Sequence, residues 1–327
     1  MSLQQTPQSA SVCKSQNPSE SAIARVLVLL AAYNGSEWIC AQIKSILSQA
    51  QVITSILIND DGSSDETRLL IESTFANDSR VKILSPSQPS GSAGQNFFFL
   101  IRSTTASDFD YVAFSDQDDI WFPNKLADSI DLLKRHHAVA GSSATLALWP
   151  DGSKRIISLS RPQTQNDYLF EGAGQGCTFL LTSSFYNRVQ EFVIAHRGLT
   201  DRVHFHDWTI YALARSWGQL WIFDPRPSML YRQHASNDTG ARASIRGIIS
   251  RLSSIRNGWY SRQLSLIAAI CDAAAPDNLH VKRLCRLLNA PPSLFRKLSL
   301  FSFCRAGGRR RRTDNLVLLV ACLLGWI

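Results

Sequence analysis

The segment Tyr111–Trp121, with the sequence YVAFSDQDDIW, contains the features that decide the fold. Its first five residues carry no charge and predict a buried strand, and Asp116, Asp118 and Asp119 follow it. In an open sheet of parallel strands, ligands bind beyond the carboxyl ends of the strands. The segment therefore predicts a parallel sheet with an acidic binding site at one edge.

Two earlier apolar runs also end in polar residues, which the same rule places at the same edge of the sheet. The run Arg25–Ala32 precedes Tyr33-Asn34-Gly35, and the run Val52–Ile58 precedes Asp60-Asp61-Gly62-Ser63. These turns contain neither a G-x-G-x-x-G loop nor a P-loop, so they indicate neither a dinucleotide-binding fold nor a P-loop enzyme. Amphipathic segments separate the apolar runs, and this alternation is typical of an α/β domain.

The periodicity of apolar residues predicts a series of short elements. Strands are expected at Arg25–Ala32, Val52–Ile58, Val81–Leu84, Tyr111–Ser115, Thr178–Thr182, Leu220–Phe223 and Met229–Tyr231. Helices are expected at Ser36–Ser48, Asp65–Phe75, Asn96–Thr105, Pro123–His136 and Asp207–Trp217. Flexible loops are expected at Ser85–Gln95 and Gly152–Gly174, where the tips are polar.

The 327 residues carry 34 Lys and Arg against 26 Asp and Glu, a net charge of +8 that is unevenly distributed. Residues 1–244 hold 20 basic and 23 acidic residues, whereas residues 245–327 hold 14 basic and 3 acidic residues. A basic protein invites comparison with nucleic-acid-binding proteins, but acidic strand ends would repel a phosphate backbone and no nucleic-acid-binding motif is present. We therefore expect no nucleic-acid partner.

Composition divides the chain into three regions. Residues 1–24 are rich in Ser and Gln without apolar periodicity, so we expect a flexible leader, and residues 25–240 form the α/β domain. In residues 241–327, cations alternate with apolar residues as in amphipathic helices on an anionic membrane, although a solvated helical face fits the same pattern. The seven cysteines are scattered without a C-x-x-C pair, which indicates reduced thiols in a cytosolic protein.

The three carboxylates of Asp116, Asp118 and Asp119 require compensation. Like charges about 4 Å apart repel by about 1 kcal/mol in water and about 4 kcal/mol at an effective dielectric constant of about 20. A hard divalent cation such as Mg²⁺ or Mn²⁺ would provide it, because such ions prefer oxygen ligands and often join carboxylates to substrate phosphates. An acidic surface turn before the helix predicted at Pro123 is the alternative interpretation.

Several short motifs follow one another across residues 25–240. They are Ala32–Gly35 (AYNG), Asn59–Asp65 (NDDGSSD), Phe114–Trp121 (FSDQDDIW), Pro123–Leu126 (PNKL), Gly176–Thr178 (GCT), His206–Trp208 (HDW) and Tyr231–His234 (YRQH). The first four resemble glycosyltransferase family 2, whose members are inverting enzymes with the GT-A fold. The last three are similar to the rhamnosyltransferase-like branch of this family, which builds bacterial O-antigen and capsular polysaccharide.

The resemblance implies the GT-A architecture and a nucleotide site within it. This fold joins a Rossmann-like nucleotide-binding half to an acceptor-binding half around a mostly parallel central sheet, and here a basic helical extension would follow. Tyr33 and Asn34, together with Asp61 and Asp60, would line the pocket for the base and the ribose of a nucleotide.

The same resemblance assigns the metal and phosphate ligands. Asp116 would approach the ribose or the metal ion, Asp118 would bind the divalent ion that bridges the donor diphosphate, and Asp119 would support the metal or the donor sugar. His234 would be a third metal ligand or would bond the diphosphate, although a lone histidine is more often structural. Arg232 would contact a phosphate, with a surface salt bridge as the alternative.

On the acceptor side, the resemblance makes Asp207 the general base. His206 occupies the position where many relatives carry the Glu of an E-D pair, and its own role is open. Trp121 and Trp208 flank the two acidic sites, where they would stack on sugar faces or belong to the core.

The implied reaction is inverting transfer of a sugar, rhamnose or another deoxysugar, from a dTDP- or UDP-sugar to a hydroxyl group of a glycan or lipid-linked acceptor. Because lipid-linked acceptors are made at the inner face of the cell membrane, we expect a cytoplasmic protein attached peripherally to that face. The apolar end Leu316–Ile327 would extend only ~18 Å as a helix, against a hydrocarbon core of ~30 Å. A nucleotidyltransferase and a non-catalytic sugar-nucleotide-binding module are the alternative functions.

Overall fold

The computed structural model describes residues 23–85, 88–158, 161–234 and 255–327, so most of the predicted leader lies outside the described residues. The strands are β1 (Ala24–Ala32), β2 (Val52–Asp60), β3 (Val81–Ile83), β4 (Tyr111–Ser115), β5 (Ile120–Trp121), β6 (Ala140–Leu148), β7 (Lys154–Ile157), β8 (Leu180–Thr182) and β9 (Trp221–Arg232). They form one sheet in the order β3-β2-β1-β4-β8-β6-β9-β5, with β7 paired to β6. Strands β1 to β4 are parallel, whereas β8 is antiparallel to both neighbours.

Helices cover both faces of this sheet. They are α1 (Ile39–Leu47), α2 (Thr67–Thr74), α3 (Ala93–Ser103), α4 (Lys125–His136), α5 (Asp167–Phe170), α6 (Ser183–Ala195), α7 (Arg197–Thr200), α8 (His206–Ser216), α9 (Trp259–Ala274), α10 (Leu279–Asn289), α11 (Leu294–Arg305) and α12 (Arg312–Leu324). The expected helices and the first five expected strands are present, with shifts of a few residues at their ends. The α/β class, the mostly parallel sheet and the helical C-terminal region are therefore confirmed.

Strand β1 shows why the sheet is covered on both sides. Val26 and Val28 face one hydrophobic core, whereas Leu27 and Leu29 face the other. Successive side chains of a strand point to opposite faces, so a run without polar residues requires an apolar partner layer on each side. Helices α1 and α4 provide one layer, and helices α3, α6 and α8 provide the other.

Two expectations for the second half of the chain are wrong. The segment Gly152–Gly174, expected to be a flexible loop, contains strand β7 and helix α5. The strands expected at Leu220–Phe223 and Met229–Tyr231 are one strand, β9. Pro225 and Pro227 lie between the two expected strands, and proline cannot donate a hydrogen bond to a neighbouring strand. The strand continues because its register against β6 shifts where these prolines lie.

Strand β6 was not predicted, although it lies inside the sheet between β8 and β9. Its sequence AGSSATLAL consists mainly of small residues and contains one β-branched residue, Thr145. Such a sequence has weak β propensity, and the pairing with β9 and β8 provides the stabilisation that the sequence pattern does not indicate.

The described C-terminal helices share the hydrophobic core of the α/β domain. Leu264, Leu284, Leu300 and Leu318, one from each helix from α9 to α12, belong to the same buried cluster as residues of β1 and β4. Among the described residues, no helix is long and apolar enough to cross a membrane.

Arg309 and Arg310, two residues of the basic segment Arg309–Arg312, pack against the α/β domain. The side chain of Arg310 is 2% exposed and lies 2.7 Å from the carboxylate of Asp167. The backbone N–H of Arg310 donates to Glu171 at 2.6 Å, and Arg309 donates to the carbonyl oxygen of Phe170 at 3.1 Å. The sequence pattern grouped both arginines with membrane-facing cations, but their side chains instead hold α5 and the residue after it.

Replacing Arg310 with glutamine is expected to lower the free energy of unfolding by about 3 kcal/mol. The carboxylate of Asp167 is completely buried, and a buried charge that loses one of its partners typically costs about 3–5 kcal/mol. We place the effect at the lower end because Arg215 still pairs with Asp167 at 2.6 Å. Urea denaturation followed by circular dichroism measures the change.

The matched control is Arg312→Gln, two residues later, where the side chain is exposed. This variant is expected to change stability by less than about 0.5 kcal/mol. Equal stability of the two variants would show that the buried arginine does not anchor the C-terminal helices.

Candidate active site

The carboxyl ends of β1, β2 and β4 lie side by side because β1 is the parallel neighbour of the other two strands. This places the turns at Asn34 and Asp61 next to the acidic segment that begins at Asp116, as the sequence predicted. Within that segment Asp118 and Asp119 are buried, whereas Asp116 is partly exposed. The edge of the sheet therefore carries a partly enclosed acidic cluster.

Gln117, the residue between the first two aspartates, connects the acidic segment to the turn after β1. The backbone N–H of Tyr33 donates to its Oε1 at 2.7 Å, and its Nε2 donates to the carbonyl oxygen of Tyr33 at 2.7 Å. A Cβ atom at Gly35 would lie 2.2 Å from the same Oε1, so a side chain at residue 35 would clash with this connection. Gln117 was not among the predicted site residues, although its position between two candidate ligands could have indicated that it belongs to the site.

The turn after β1 is stabilised in a conformation that exposes an aromatic ring. Asn34 adopts a left-handed backbone conformation with φ of 48°. Its backbone N–H donates to the hydroxyl of Ser63, and its Oδ1 accepts from the N–H of Ser64, both at 2.8 Å. These bonds tie the turn to the segment after β2, while Tyr33 remains 56% exposed.

Asp60 and Asp61 are each 6% exposed and already accept hydrogen bonds. Asp60 accepts from the hydroxyl of Ser63. Asp61 accepts from the backbone N–H of Ser90 at 2.6 Å and from that of Gly91 at 3.3 Å. Asp61 thereby ties the end of β2 to the segment before α3.

Asp118 and His234 meet although they lie 116 positions apart in the chain. The carboxylate of Asp118 is 2.7 Å from Nε2 of His234, and the imidazole stacks on Trp38 with ring centroids 4.3 Å apart. Arg232 donates to the backbone carbonyl of Asp118 at 2.9 Å. Trp38 was not among the predicted site residues, and its position three residues after Gly35 was the available signal.

Asp119 lies at the buried end of the acidic cluster. Ligand atoms of Asp116, Asp119 and Cys177 all lie within 4.8 Å of one another. Burial, followed by the charges of Asp118 and Asp116, raises the pKa of Asp119 well above its usual value. Burial lowers the pKa of Lys125 to about 8, and its ammonium group donates to the carbonyl oxygen of Cys177 at 3.1 Å. A bound cation would stabilise the ionised form of Asp119 against the burial and the neighbouring charges that raise its pKa, so the cluster is suited to a cation.

The donor atoms of this cluster match an ion that prefers oxygen ligands. Both carboxylate oxygens of Asp119 are buried without a hydrogen bond of normal geometry from the described residues. Burial raises the pKa of the Cys177 thiol well above its usual value, which disfavours a thiolate ligand. Carboxylates with one imidazole, here from Asp118 and His234, suit Mn²⁺ or Mg²⁺ better than a thiolate-seeking ion. The residues present therefore fit the divalent ion that the sequence predicted.

Asp207 lies in the first turn of α8, where its Oδ1 accepts from the backbone N–H of Trp208 at 2.6 Å. The positive end of the helix dipole favours the carboxylate form at this position. His206 is buried against Phe97, with ring centroids 4.0 Å apart, and burial lowers its pKa to about 3. At neutral pH the imidazole is therefore uncharged.

The dipeptide Gly176–Cys177 connects the acidic cluster to the start of α8. Cys177 places its thiol beside Asp116 and Asp119. A Cβ atom at residue 176 would lie 2.5 Å from Nε2 of His206 and 3.3 Å from Cβ of Asp207. Because Gly176 has no side chain, His206 and Asp207 can approach it closely. The acidic cluster and the start of α8, the two candidate halves of the site, therefore meet across Gly176 and Cys177.

Of the two interpretations given for Trp121 and Trp208, the structure supports packing in the core. Trp121 is 3% exposed and Trp208 is 5% exposed. The ammonium group of Lys125 lies 4.5 Å from the ring of Trp121, and the indole N–H of Trp208 donates to the carbonyl oxygen of Tyr168 at 2.8 Å. The core alternative applies here because adjacency in sequence to an acidic residue does not determine which way a ring points.

The sheet order, with the acidic cluster beyond β4, matches the GT-A class of glycosyltransferases. A family model described as glycosyl transferase family 2 matches residues 27–188. The chain is 36% identical to the dTDP-rhamnosyl transferase RfbG of Shigella flexneri over 296 residues, which is 90% of this chain and 99% of that protein. The chain therefore belongs to glycosyltransferase family 2, within its rhamnosyltransferase-like branch.

Solved structures show the same fold at low sequence identity. Residues 1–349 of TarS from S. aureus in complex with UDP-GlcNAc align with a TM-score of 0.55 at 14% identity, covering 92% of this chain and 89% of that one. The mannosyltransferase PcManGT from Pyrobaculum calidifontis in complex with GDP-Man and Mn²⁺ aligns with a TM-score of 0.51 at 14% identity, covering 93% of this chain and 87% of that one. These likenesses support the GT-A architecture.

Proposed function

We propose that this glycosyltransferase moves rhamnose or a related deoxysugar from its dTDP conjugate to a hydroxyl group of a glycan or lipid-linked acceptor in cell-surface polysaccharide synthesis. The observation that carries the proposal is the contact path through Gly176–Cys177, which joins the acidic cluster to Asp207. The similarity to a dTDP-rhamnosyl transferase over almost the whole chain supports the choice of donor.

The nucleotide would occupy the edge formed by the turns after β1 and β2. The exposed ring of Tyr33 would contact the base, and Asn34 would hold the turn that presents it. Asp60 and Asp61 would form the wall of this pocket, because their carboxylates already bind the surrounding backbone and hydroxyl groups. Asp116, which is partly exposed, would reach the ribose.

Mg²⁺ or Mn²⁺ would neutralise the negative charge that develops on the leaving nucleoside diphosphate. Asp118 and His234 would hold the ion, since their side chains already meet, and Asp116 would contribute a further carboxylate. Asp119 would support the ion or the donor sugar, and Arg232, bonded to the backbone of Asp118, would lie near the diphosphate.

Asp207 would act as the general base of an inverting displacement. One of its carboxylate oxygens would accept the proton of the acceptor hydroxyl while the hydroxyl oxygen attacks the anomeric carbon. The bond between the anomeric carbon and the diphosphate oxygen breaks on the opposite face, so one displacement inverts the configuration. The buried, neutral His206 would position Asp207 through its contacts with Phe97 and Gly176. We place the reaction at the inner, cytoplasmic face of the cell membrane, where lipid-linked acceptors are made.

A donor screen tests the proposal. The full chain is expected to be stabilised against thermal unfolding by dTDP-rhamnose with Mn²⁺ or Mg²⁺, more than by UDP- or GDP-sugars at the same concentration. At a ligand concentration of about 100 times Kd, the gain in stability is about 2.7 kcal/mol. EDTA should remove most of it, because Asp118 and His234 would hold the ion that the diphosphate requires. If no nucleoside diphosphate or nucleotide sugar raises the melting temperature, the proposal is wrong.

Product analysis separates the alternative functions. A glycosyltransferase releases dTDP, a nucleotidyltransferase releases or consumes pyrophosphate, and a non-catalytic binding module is stabilised by the donor without turnover. Release of dTDP that depends on a glycan acceptor supports the proposed reaction.

A further inference from the structure

The outward face of α12 is apolar, which is the reverse of an ordinary surface helix. Five side chains that are 40–61% exposed form what we term the apolar stripe: Leu316, Val317, Val320, Leu323 and Leu324. Their spacing of i, i+1, i+4, i+7 and i+8 places them on one side of the helix. Part of this stripe lines an apolar groove together with Ile255 and Trp326.

The opposite side of α12 fixes the helix to the protein. Leu318, Ala321 and Cys322 are buried in the main hydrophobic core. The sulfur of Cys322 lies 3.7 Å from that of Cys304 on α11, so the two helices are in close contact. Since this side is occupied by the core, the apolar stripe cannot turn inward, and its exposure is a feature of the folded helix.

The stripe lies in the most basic part of the chain. Residues 245–327 contain 14 Lys and Arg against 3 Asp. Arg305 at the end of α11, Arg312 at the start of α12 and Arg256 beside the groove residue Ile255 are all exposed. Asp314, in the first turn of α12, is the acidic residue of this helix.

We propose that the apolar stripe is a docking surface for the anionic lipid leaflet on which the enzyme works. The helix would lie in the plane of the interface with the stripe among the upper acyl chains, while the surrounding arginines contact lipid phosphates. Trp326, which is partly buried beside the stripe, is a residue type enriched at this depth. The inference rests on the proposed function for its biological setting, and it assigns the membrane contact to specific residues.

The charge argues for a membrane over a second copy of this chain. A symmetric dimer through the stripe would bring Arg256 and Arg312, which are exposed beside the groove and at the start of α12, close to the same residues of the second copy, and these charges would repel. An anionic leaflet attracts the same charge. The outward-facing apolar surface and the exposed arginines therefore both favour an anionic membrane as the binding partner.

Vesicle sedimentation with the full chain tests this proposal. The protein is expected to bind vesicles of phosphatidylcholine and phosphatidylglycerol, and to bind pure phosphatidylcholine vesicles at least about tenfold more weakly because the arginines then lack anionic partners. Raising NaCl from about 0.1 M to about 1 M should weaken binding to the anionic vesicles, since the Debye length falls from about 10 Å to about 3 Å.

The decisive variant is Leu316→Gln/Val320→Gln/Leu323→Gln, which retains every cation and uses a residue with good helix propensity. Binding to anionic vesicles is expected to fall about tenfold or more, because three apolar side chains no longer enter the lipid. The matched control is Leu69→Gln/Ile194→Gln, which removes two apolar side chains that are 63% and 50% exposed on α2 and α6. This control should bind vesicles like the unmodified protein.

The outcomes separate membrane docking from catalysis. Stabilisation by dTDP-rhamnose and transfer to a water-soluble acceptor should be unchanged in the stripe variant, so loss of vesicle binding alone supports the proposal. Equal vesicle binding by the stripe variant and the unmodified protein would overturn it. It would also be overturned if the unmodified protein did not bind anionic vesicles, or if light scattering revealed a dimer that the stripe variant dissociates.

Discussion

Asp207→Asn is expected to lower kcat for sugar transfer by about 10²–10⁴-fold, the usual contribution of a general base, while the donor Kd stays within about twofold of the unmodified value. The amide has nearly the shape of the carboxylate but cannot accept the proton of the acceptor hydroxyl. Asp207 accepts a hydrogen bond from the backbone of α8 and lies beside Gly176, whereas the nucleotide would occupy the edge formed by the turns after β1 and β2, so donor binding should persist. Release of dTDP measures turnover, and calorimetric titration with dTDP measures binding.

The matched control for this variant is Asp201→Asn. Asp201 lies six positions earlier and pairs with Arg102 at 2.8 Å on the surface, with half of its side chain exposed. Its replacement should leave kcat within about twofold of the unmodified value, because exposed ion pairs contribute little and this one lies outside the site. If Asp207→Asn retained near-normal turnover, another group would have to accept the proton and the assignment of the base would be wrong.

Asp118→Asn is expected to weaken metal-dependent donor binding by at least about 10–100-fold, the range found when groups that support a metal site are removed. The variant replaces a carboxylate that lies 2.7 Å from His234 with a neutral amide, which binds a hard cation less strongly. Calorimetric titration of dTDP with and without Mn²⁺ measures the effect. The gain in affinity that the ion provides should almost disappear.

His234→Gln tests whether the two residues act through the same ion. If they do, the effects of Asp118→Asn and His234→Gln on donor affinity should not add in the double variant, because either change alone already impairs ion binding. Asp128→Asn, an exposed carboxylate on α4, is the control and should not change donor affinity. Full Mn²⁺ dependence in Asp118→Asn would remove Asp118 from the ligand set.

Local sequence was sufficient to predict the acidic edge of the sheet. The run Tyr111–Ser115 has the apolar character of a buried strand, and the position of Asp116–Asp119 directly after it locates these residues at the ligand-binding edge. The same rule located Asn34 and Asp61 correctly. These predictions were confirmed because burial pattern and chain order are properties of short segments.

Side-chain direction could not be predicted in the same way. For Trp121 and Trp208 the sequence left stacking on sugars and packing in the core as alternatives, and in the structure both rings point into the cores. Trp38, which stacks on His234, was not predicted, although it also adjoins an acidic residue in the sequence. A ring at the end of a strand or helix points toward solvent or core according to the neighbouring layer, and single-sequence periodicity does not specify that layer.

The basic C-terminal region likewise has one property that the sequence determines and another that depends on the fold. Its charge is evident from the sequence, but Arg310 and Arg312 have opposite environments two residues apart. Only the positions of Asp167 and Glu171 in the folded chain determine that Arg310 is buried in ion pairs. The cations available to a membrane are therefore a subset of those that the sequence pattern suggested.

The sequence by itself determined the α/β class, the acidic edge and the family resemblance, because each depends on residues that are close together or ordered along the chain. The tertiary structure decided that Asp118 meets His234 and that Gly176–Cys177 connects the acidic cluster to Asp207. It also decided that the apolar side of α12 faces outward. Contacts of this kind join residues far apart in sequence, and they are determined by how complete layers pack rather than by the pattern within any one segment.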